Sequence, residues 1–166
     1  MNTAFRKAAK VLTLAAAATL PFALPAAAQA KSPPAGCTGD EKTGTWLNVV
    51  AEGMRSSDGL LAMTVYPDKS SEFLAKGGSL DVGRIKAQKG TTRGCVFLPK
   101  PGVYVIALYH DENGNRKFDR TGLGLPAEGY GFSNNPSTIA GLPTFSSVRI
   151  AVPKTGLTTR ITMKYP

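Results

Sequence analysis

Val148-Arg149-Ile150-Ala151-Val152, then Pro153-Lys154-Thr155-Gly156, then Leu157-Thr158-Thr159-Arg160-Ile161-Thr162-Met163-Lys164-Tyr165: in this stretch the larger side chains fall on every second residue, on both sides of a Pro/Gly break. A strand turns successive side chains to opposite faces, whereas a helix repeats its apolar positions every three to four residues. The alternation therefore reads as strand, and two such runs across a short turn predict a β-hairpin. Working upstream, Leu47, Val49 and Ala51 alternate with Asn48 and Glu52, and Leu60 to Tyr66 follows as a second run. Leu80, Val82 and Ile85 suggest a weaker strand near 80–87, and Gly94 to Leu98 is short and apolar. After the Pro101-Gly102 turn pair, Val103 to Tyr109 is apolar on both faces, which predicts a central strand covered on each side. No segment after residue 30 sustains a helical period. The expectation is an all-β chain, a single antiparallel β-sandwich of about seven strands over residues 45–166, with one long ordered loop.

The chain has 166 residues, of which 18 are glycine and 12 proline, a balance suited to short strands and turns. Residues 1–30 read as a signal peptide. Arg6, Lys7 and Lys10 precede an apolar stretch, Pro21 and Pro25 interrupt it, and Ala28-Gln29-Ala30 ends it in the small-x-small pattern of signal peptidase. Cleavage after Ala30 would leave no transmembrane segment and place the protein in the periplasm or outside the cell. Residues 31–44 form a polar, Pro/Gly-rich lead-in. Ala35-Gly36-Cys37 resembles the end of a lipid-attachment box, but Pro34 and Lys31 do not suit one. In an oxidising compartment the only two cysteines, Cys37 and Cys95, are expected to form a structural disulfide. Closing the chain between them would stabilise it by on the order of 4 kcal/mol. One histidine and two cysteines exclude a multi-histidine metal centre and a four-cysteine zinc site.

Between Tyr109 and Phe145 the strand rhythm stops, for longer than compact domains usually allow without a function. Within this 110–145 loop Asp111, Asn113, Asn115 and Asp119 stand at offsets 1, 3, 5 and 9, the spacing by which calcium loops curl oxygen ligands toward one point. Arg116 at offset 6 and Gly122 at offset 12 depart from that pattern. Ca²⁺ is thus the one cofactor suggested. The structural alternative is that Asp, Asn and Gly simply build tight turns. His110 ends the central strand, and a hydrolase using it with Asp111 or Glu112 is the catalytic alternative, although no Ser or Cys elbow accompanies it.

Phe97-Leu98-Pro99-Lys100-Pro101-Gly102-Val103-Tyr104, His110-Asp111-Glu112-Asn113-Gly114-Asn115 with Phe118-Asp119, and Gly124 to Asn135 (Gly-Leu-Pro-Ala-Glu-Gly-Tyr-Gly-Phe-Ser-Asn-Asn) resemble the bacterial domain-of-unknown-function 2141 family. The resemblance runs from about Leu47 to Tyr165. It implies an exported bacterial protein with a β-sandwich of immunoglobulin- or prealbumin-like character and no established activity. The His-Asp-Glu-Asn-Gly-Asn element is also similar to calcium turns of some surface-protein B-type repeats, whose following acidic residues are missing here.

The leading functional expectation is a non-catalytic binding or structural module of the bacterial envelope acting through the 110–145 loop. His110, Glu128, Tyr130, Phe132 and Asn134 are its candidate ligand-binding residues, and an envelope glycan or protein is the expected partner. Arg84, Lys86, Lys89 and Arg93 form a basic cluster, but without interleaved aromatics and in an exported protein they do not argue for nucleic acid. The formal charge of +9 falls to +6 once the three cations of the signal leave. Against that basic total, Asp111, Glu112, Asp119 and Glu128 gather acids in the loop.

Overall fold

The structure, a computed structural model, describes residues 32–166, so the signal segment and its cleavage site lie outside the described residues. Eight strands make two sheets packed face to face: β1 (Thr45–Met54), β2 (Leu60–Pro67), β3 (Asp81–Lys86), β4 (Gly90–Leu98), β5 (Gly102–Asp111), β6 (Gly129–Phe132), β7 (Arg149–Val152) and β8 (Leu157–Thr162). The smaller sheet runs β4-β1-β8, and the larger runs β3-β2-β5-β6 with β7 also paired to β5. No barrel closes. The sandwich expectation holds, with eight strands in place of about seven. Among the described residues no helix is long and apolar enough to cross a membrane.

Two sequence expectations are corrected. The last two strands do not form a hairpin: β7 pairs with β5 in the larger sheet, while β8 pairs with β1 in the smaller one, and in parallel. The sandwich is therefore not antiparallel throughout. The Pro153–Gly156 linker is an arch between sheets, and Gly156 takes φ +77° with its Cα against the indole of Trp46. A Cβ there would lie 2.1 Å from the ring, so β1 itself directs the chain across. The second correction concerns the long loop, which contains a strand. β6 pairs with residues 107–110 of β5 and β7 with residues 102–105, so the two lie end to end along one edge.

Strand parity sorts the larger sheet's side chains. Leu61, Met63, Val65, Tyr104, Ile106 and Leu108 face inward and meet Leu47, Val49, Ala51, Ile161 and Met163 from the smaller sheet. Each Val, Leu, Ile or Met among them contributes roughly 1.5–3 kcal/mol of transfer free energy on burial. The outer face of the larger sheet is also apolar: Tyr66, Val105, Ala107, Phe132 and Val148 form a second cluster, with Phe73, Tyr130 and Phe145 packed on it. That double coverage is what the unbroken apolar run of β5 predicts.

Cys37 and Cys95 are paired as a disulfide. Thr38 donates its backbone N–H to Cys95 O at 3.0 Å and accepts from Phe97 N at 2.7 Å. The polar lead-in thus covers part of the free edge of β4, an edge that would otherwise offer unpaired backbone groups.

Candidate functional site

The 110–145 loop leaves β5 at Asp111 and returns to the same strand edge as β6. Gly129 and Gly131 of β6 face inward, where a Cβ would meet the Tyr165 ring at 2.2 Å and Ile161 Cγ2 at 2.7 Å. Tyr130 and Phe132 point the other way. The Gly-Tyr-Gly-Phe alternation therefore places nothing against the core and two rings on the outer face. There the two rings line a cleft of about 280 Å³ with Tyr66, Tyr109, Phe118 and Arg120, floored by Thr64 and Ala107 and rimmed by Leu74 and Leu142. Ring centroids of Phe118 lie 5.6 Å from Tyr109 and 6.5 Å from Tyr130, in the tilted and edge-on arrangements that aromatic quadrupoles favour. Burial pushes the Tyr66 hydroxyl up in pKa. Among the described residues the hydroxyls of Thr64, Tyr66 and Tyr109 have no hydrogen-bond partner, so the cleft combines ring faces with free polar groups.

Residues 49–160 match the sequence pattern of a family described as "uncharacterized protein conserved in bacteria (DUF2141)". The chain belongs to the DUF2141 family. No curated protein and no solved structure matches it. The DUF2141 region contains the whole loop and every cleft residue, but Cys37 and Tyr165 lie outside it.

His110 does not share the cleft. It has the inward parity of Ile106 and Leu108 and is fully buried on the other side of the sheet. Its Nε2 lies 2.8 Å from Asp58 O and its Nδ1 lies 2.8 Å from the Tyr165 hydroxyl. A carbonyl only accepts, so in the neutral ring Nε2 carries the proton and Nδ1 accepts from Tyr165. The Tyr165 oxygen in turn accepts the Arg55 N–H at 3.1 Å. Both ring nitrogens are thus held by hydrogen bonds inside the sandwich. Glu112 stands 3.7 Å from Nδ1 but forms a bidentate pair with Arg55, which holds its carboxyl below the usual range.

The four expected metal ligands come together as a hydrogen-bonded loop. Asp111 Oδ2 accepts Arg116 N at 2.8 Å, Asn113 Oδ1 accepts Asn115 N at 2.9 Å, and Asn115 Oδ1 accepts Lys117 N at 2.8 Å. Both asparagine amides donate to Asp119 Oδ2 at 2.8 Å. Among the described residues no three His, Cys, Asp or Glu side chains gather as a metal cluster. One atom of the group stands apart: Asp111 Oδ1 is buried with no partner. Glu128, also buried, closes the loop neck by accepting Glu112 N at 3.2 Å and Asp119 N at 3.0 Å. Burial raises its pKa, against the two backbone bonds, and the carboxylates of Asp119 and Asp111 add to the rise.

Asn134 sits at φ +65° and donates its amide to Ser147 O and Arg149 O, at 3.2 and 2.8 Å. Asn135 clasps Arg160 O and Thr162 N in the same way. Of the five expected ligand-binding residues, Tyr130 and Phe132 line the cleft, while His110, Glu128 and Asn134 hold the fold. Tyr66, Tyr109, Phe118 and Arg120 were missed, and the outward parity of β2 and β5 was the signal for the first two.

Proposed function

We propose that this DUF2141 protein is an exported, non-catalytic binding module of the bacterial envelope that holds a saccharide ring in the aromatic cleft. One observation carries the reading: Tyr109, Phe118 and Tyr130 line the same open space as the unpartnered hydroxyls of Thr64 and Tyr66. A pyranose has apolar C–H faces that stack on aromatic rings and equatorial hydroxyls that require polar partners. The volume is near the low end of small-molecule sites, roughly 300–1,000 Å³, which suits one ring of a longer glycan. Export is supported by the Cys37–Cys95 pair, since reducing compartments disfavour disulfides, together with the signal pattern of residues 1–30. The hydrolase alternative has less support, because His110 is buried outside the cleft with both ring nitrogens hydrogen-bonded.

The test is titration with glycan-strand fragments of peptidoglycan and with outer-core oligosaccharides, followed by amide chemical shifts. Binding should move resonances of residues 107–109, 118–120 and 130–132, and Phe118→Ala should weaken it about tenfold, or ~1.4 kcal/mol. No perturbation by any saccharide at millimolar concentration sinks the reading.

A second reading concerns the loop neck. The unpartnered Asp111 Oδ1 favours a Ca²⁺ ion there, with the remaining ligands supplied by Asp119, amide or backbone oxygens and water. Calcium at a hundredfold excess over its Kd would then add about 2.7 kcal/mol to stability. Identical melting curves in EDTA and in millimolar Ca²⁺ remove it.

A further inference from the structure

The two tips of the long loop, the turn over residues 120–126 and the hairpin over residues 139–142, carry bare apolar side chains. Leu123 is 89% exposed and Ile139 is 87% exposed, and Leu125 and Leu142 are each nearly half exposed. Of the six large hydrophobic side chains exposed among the described residues, these tips hold four. Single exposed leucines are ordinary on protein surfaces, whereas a cluster on neighbouring loops marks an interaction face. The two tips do abut: Gly141 lacks a side chain where the Pro126 ring lies, 2.4 Å from the position a Cβ would take.

We propose that these tips seat the protein on an anionic lipid surface. Charge is the first argument. From Thr121 to Val148 the only charged residue is Glu128, which is buried. The exposed Arg116, Lys117 and Arg120 lead directly into the first tip, and the Arg120 guanidinium donates to Gly124 O at 2.8 Å, inside the turn that carries Leu123. The nearby acids are engaged elsewhere: Asp111 is buried, Glu112 pairs with Arg55, and Asp119 accepts from Asn113 and Asn115. Cations flanking apolar side chains match the layering of anionic headgroups over acyl chains.

The backbone supplies the second argument. Thr121 N donates to Leu125 O at 2.8 Å, Gly124 N to Thr121 O at 2.9 Å, and Ile139 and Leu142 exchange bonds at 3.0 and 2.9 Å. Segments that enter a poorly hydrated interface need their backbone groups paired internally, and both tips have such pairs. A protein partner would have to supply complementary pockets for Leu123 and Ile139. Acyl chains make no such demand on shape. The inference does not rest on the saccharide reading: Arg120 and Leu142 border the cleft as well, but Leu123 and Ile139, which carry the inference, are not among its lining residues.

The decisive experiment is vesicle flotation of residues 31–166, the chain expected after signal cleavage, which carry both sheets and the disulfide. The vesicles are phosphatidylglycerol with phosphatidylethanolamine, and phosphatidylcholine alone is the neutral control. The parent is expected to float with anionic vesicles, to float less with neutral ones, and to lose binding as salt is raised. Leu123→Asp with Ile139→Asp should cut the bound fraction tenfold or more while melting with the parent, and the milder pair Leu123→Ser with Ile139→Ser should fall between. A parent that stays in the lipid-free fraction overturns the proposal, as does a double variant that floats equally well. A parent that dimerises without floating, and whose variant is monomeric, assigns the face to a second copy and overturns it as well.

Discussion

Tyr165 donates its hydroxyl proton to Nδ1 of His110 across 2.8 Å, joining the chain's penultimate residue to the buried end of β5. The ring edges meet at 80°, and Gly129, the neighbour of His110 in β6, has no side chain where the Tyr165 ring lies. This bond makes His110 part of the sandwich's end wall. His110→Ala leaves a cavity and two unpaired polar partners, and should lower stability by about 2–4 kcal/mol. Tyr165→Phe removes one bond and should cost about 1 kcal/mol. Urea unfolding of both variants and of the double variant checks this, and strict additivity would show that the two residues do not act together.

Glu128→Gln should be destabilising despite its near-identical shape. The carboxylate accepts two backbone N–H groups, from Glu112 and Asp119, and an amide can accept only one while turning an NH₂ toward the other. A loss of about 1–3 kcal/mol is expected from one buried N–H left without an acceptor. Hydrogen exchange should then quicken at 112 or 119, at one of the two and not both.

The Arg55–Glu112 pair sets a pH dependence. The hydrogen bonds from Arg55 lower the Glu112 pKa below its ordinary value of 4.5. Its contribution is therefore complete above the unfolded value and is lost as pH falls through the folded one. Arg55 is half exposed, so the effect is at most ~1 kcal/mol. The stability gap between the parent and Glu112→Gln should close on acidification from neutral pH. A gap that widens would mean the pair is not what stabilises the loop neck.

Gly156→Ala tests the arch. Both the positive φ and the contact with Trp46 oppose a Cβ, so the substitution should cost more than the ~1 kcal/mol usual for alanine in a left-handed position. Fluorescence of Trp46, the single tryptophan, reports any displacement directly.

Element type was legible wherever side-chain parity was clean, as in Leu157 to Met163. Partner choice was not, because alternation in β7 and β8 is equally compatible with a hairpin and with an arch. What decides between them is the packing of Gly156 on Trp46, a contact between segments far apart in the chain. β6 escaped notice because its inward positions are glycines, which weaken strand character, although Tyr130 and Phe132 keep the two-residue period. The cleft was half legible for a related reason. Tyr130 and Phe132 sit in the suspicious loop, while Tyr66 and Tyr109 end unremarkable strands and meet them only on the sheet's outer face.

The parallel pairing of β1 with β8 also bears on how the chain reaches this state. Among the described strands β1 is the first in sequence and the middle of its sheet, flanked by β4 and β8. Asn48 of β1 meets Thr158 of β8 across a sequence separation of 110. One edge of β1 therefore stays open until β8, more than a hundred residues downstream, is available, and closure over such a distance is intrinsically slow. A nascent chain not yet extended through β8 would expose that edge, with the apolar faces of Leu47, Val49 and Ala51 beside it, to any neighbouring strand. Completion of the smaller sheet thus waits for β8, and truncation near residue 157 should favour aggregation over a stable partial domain.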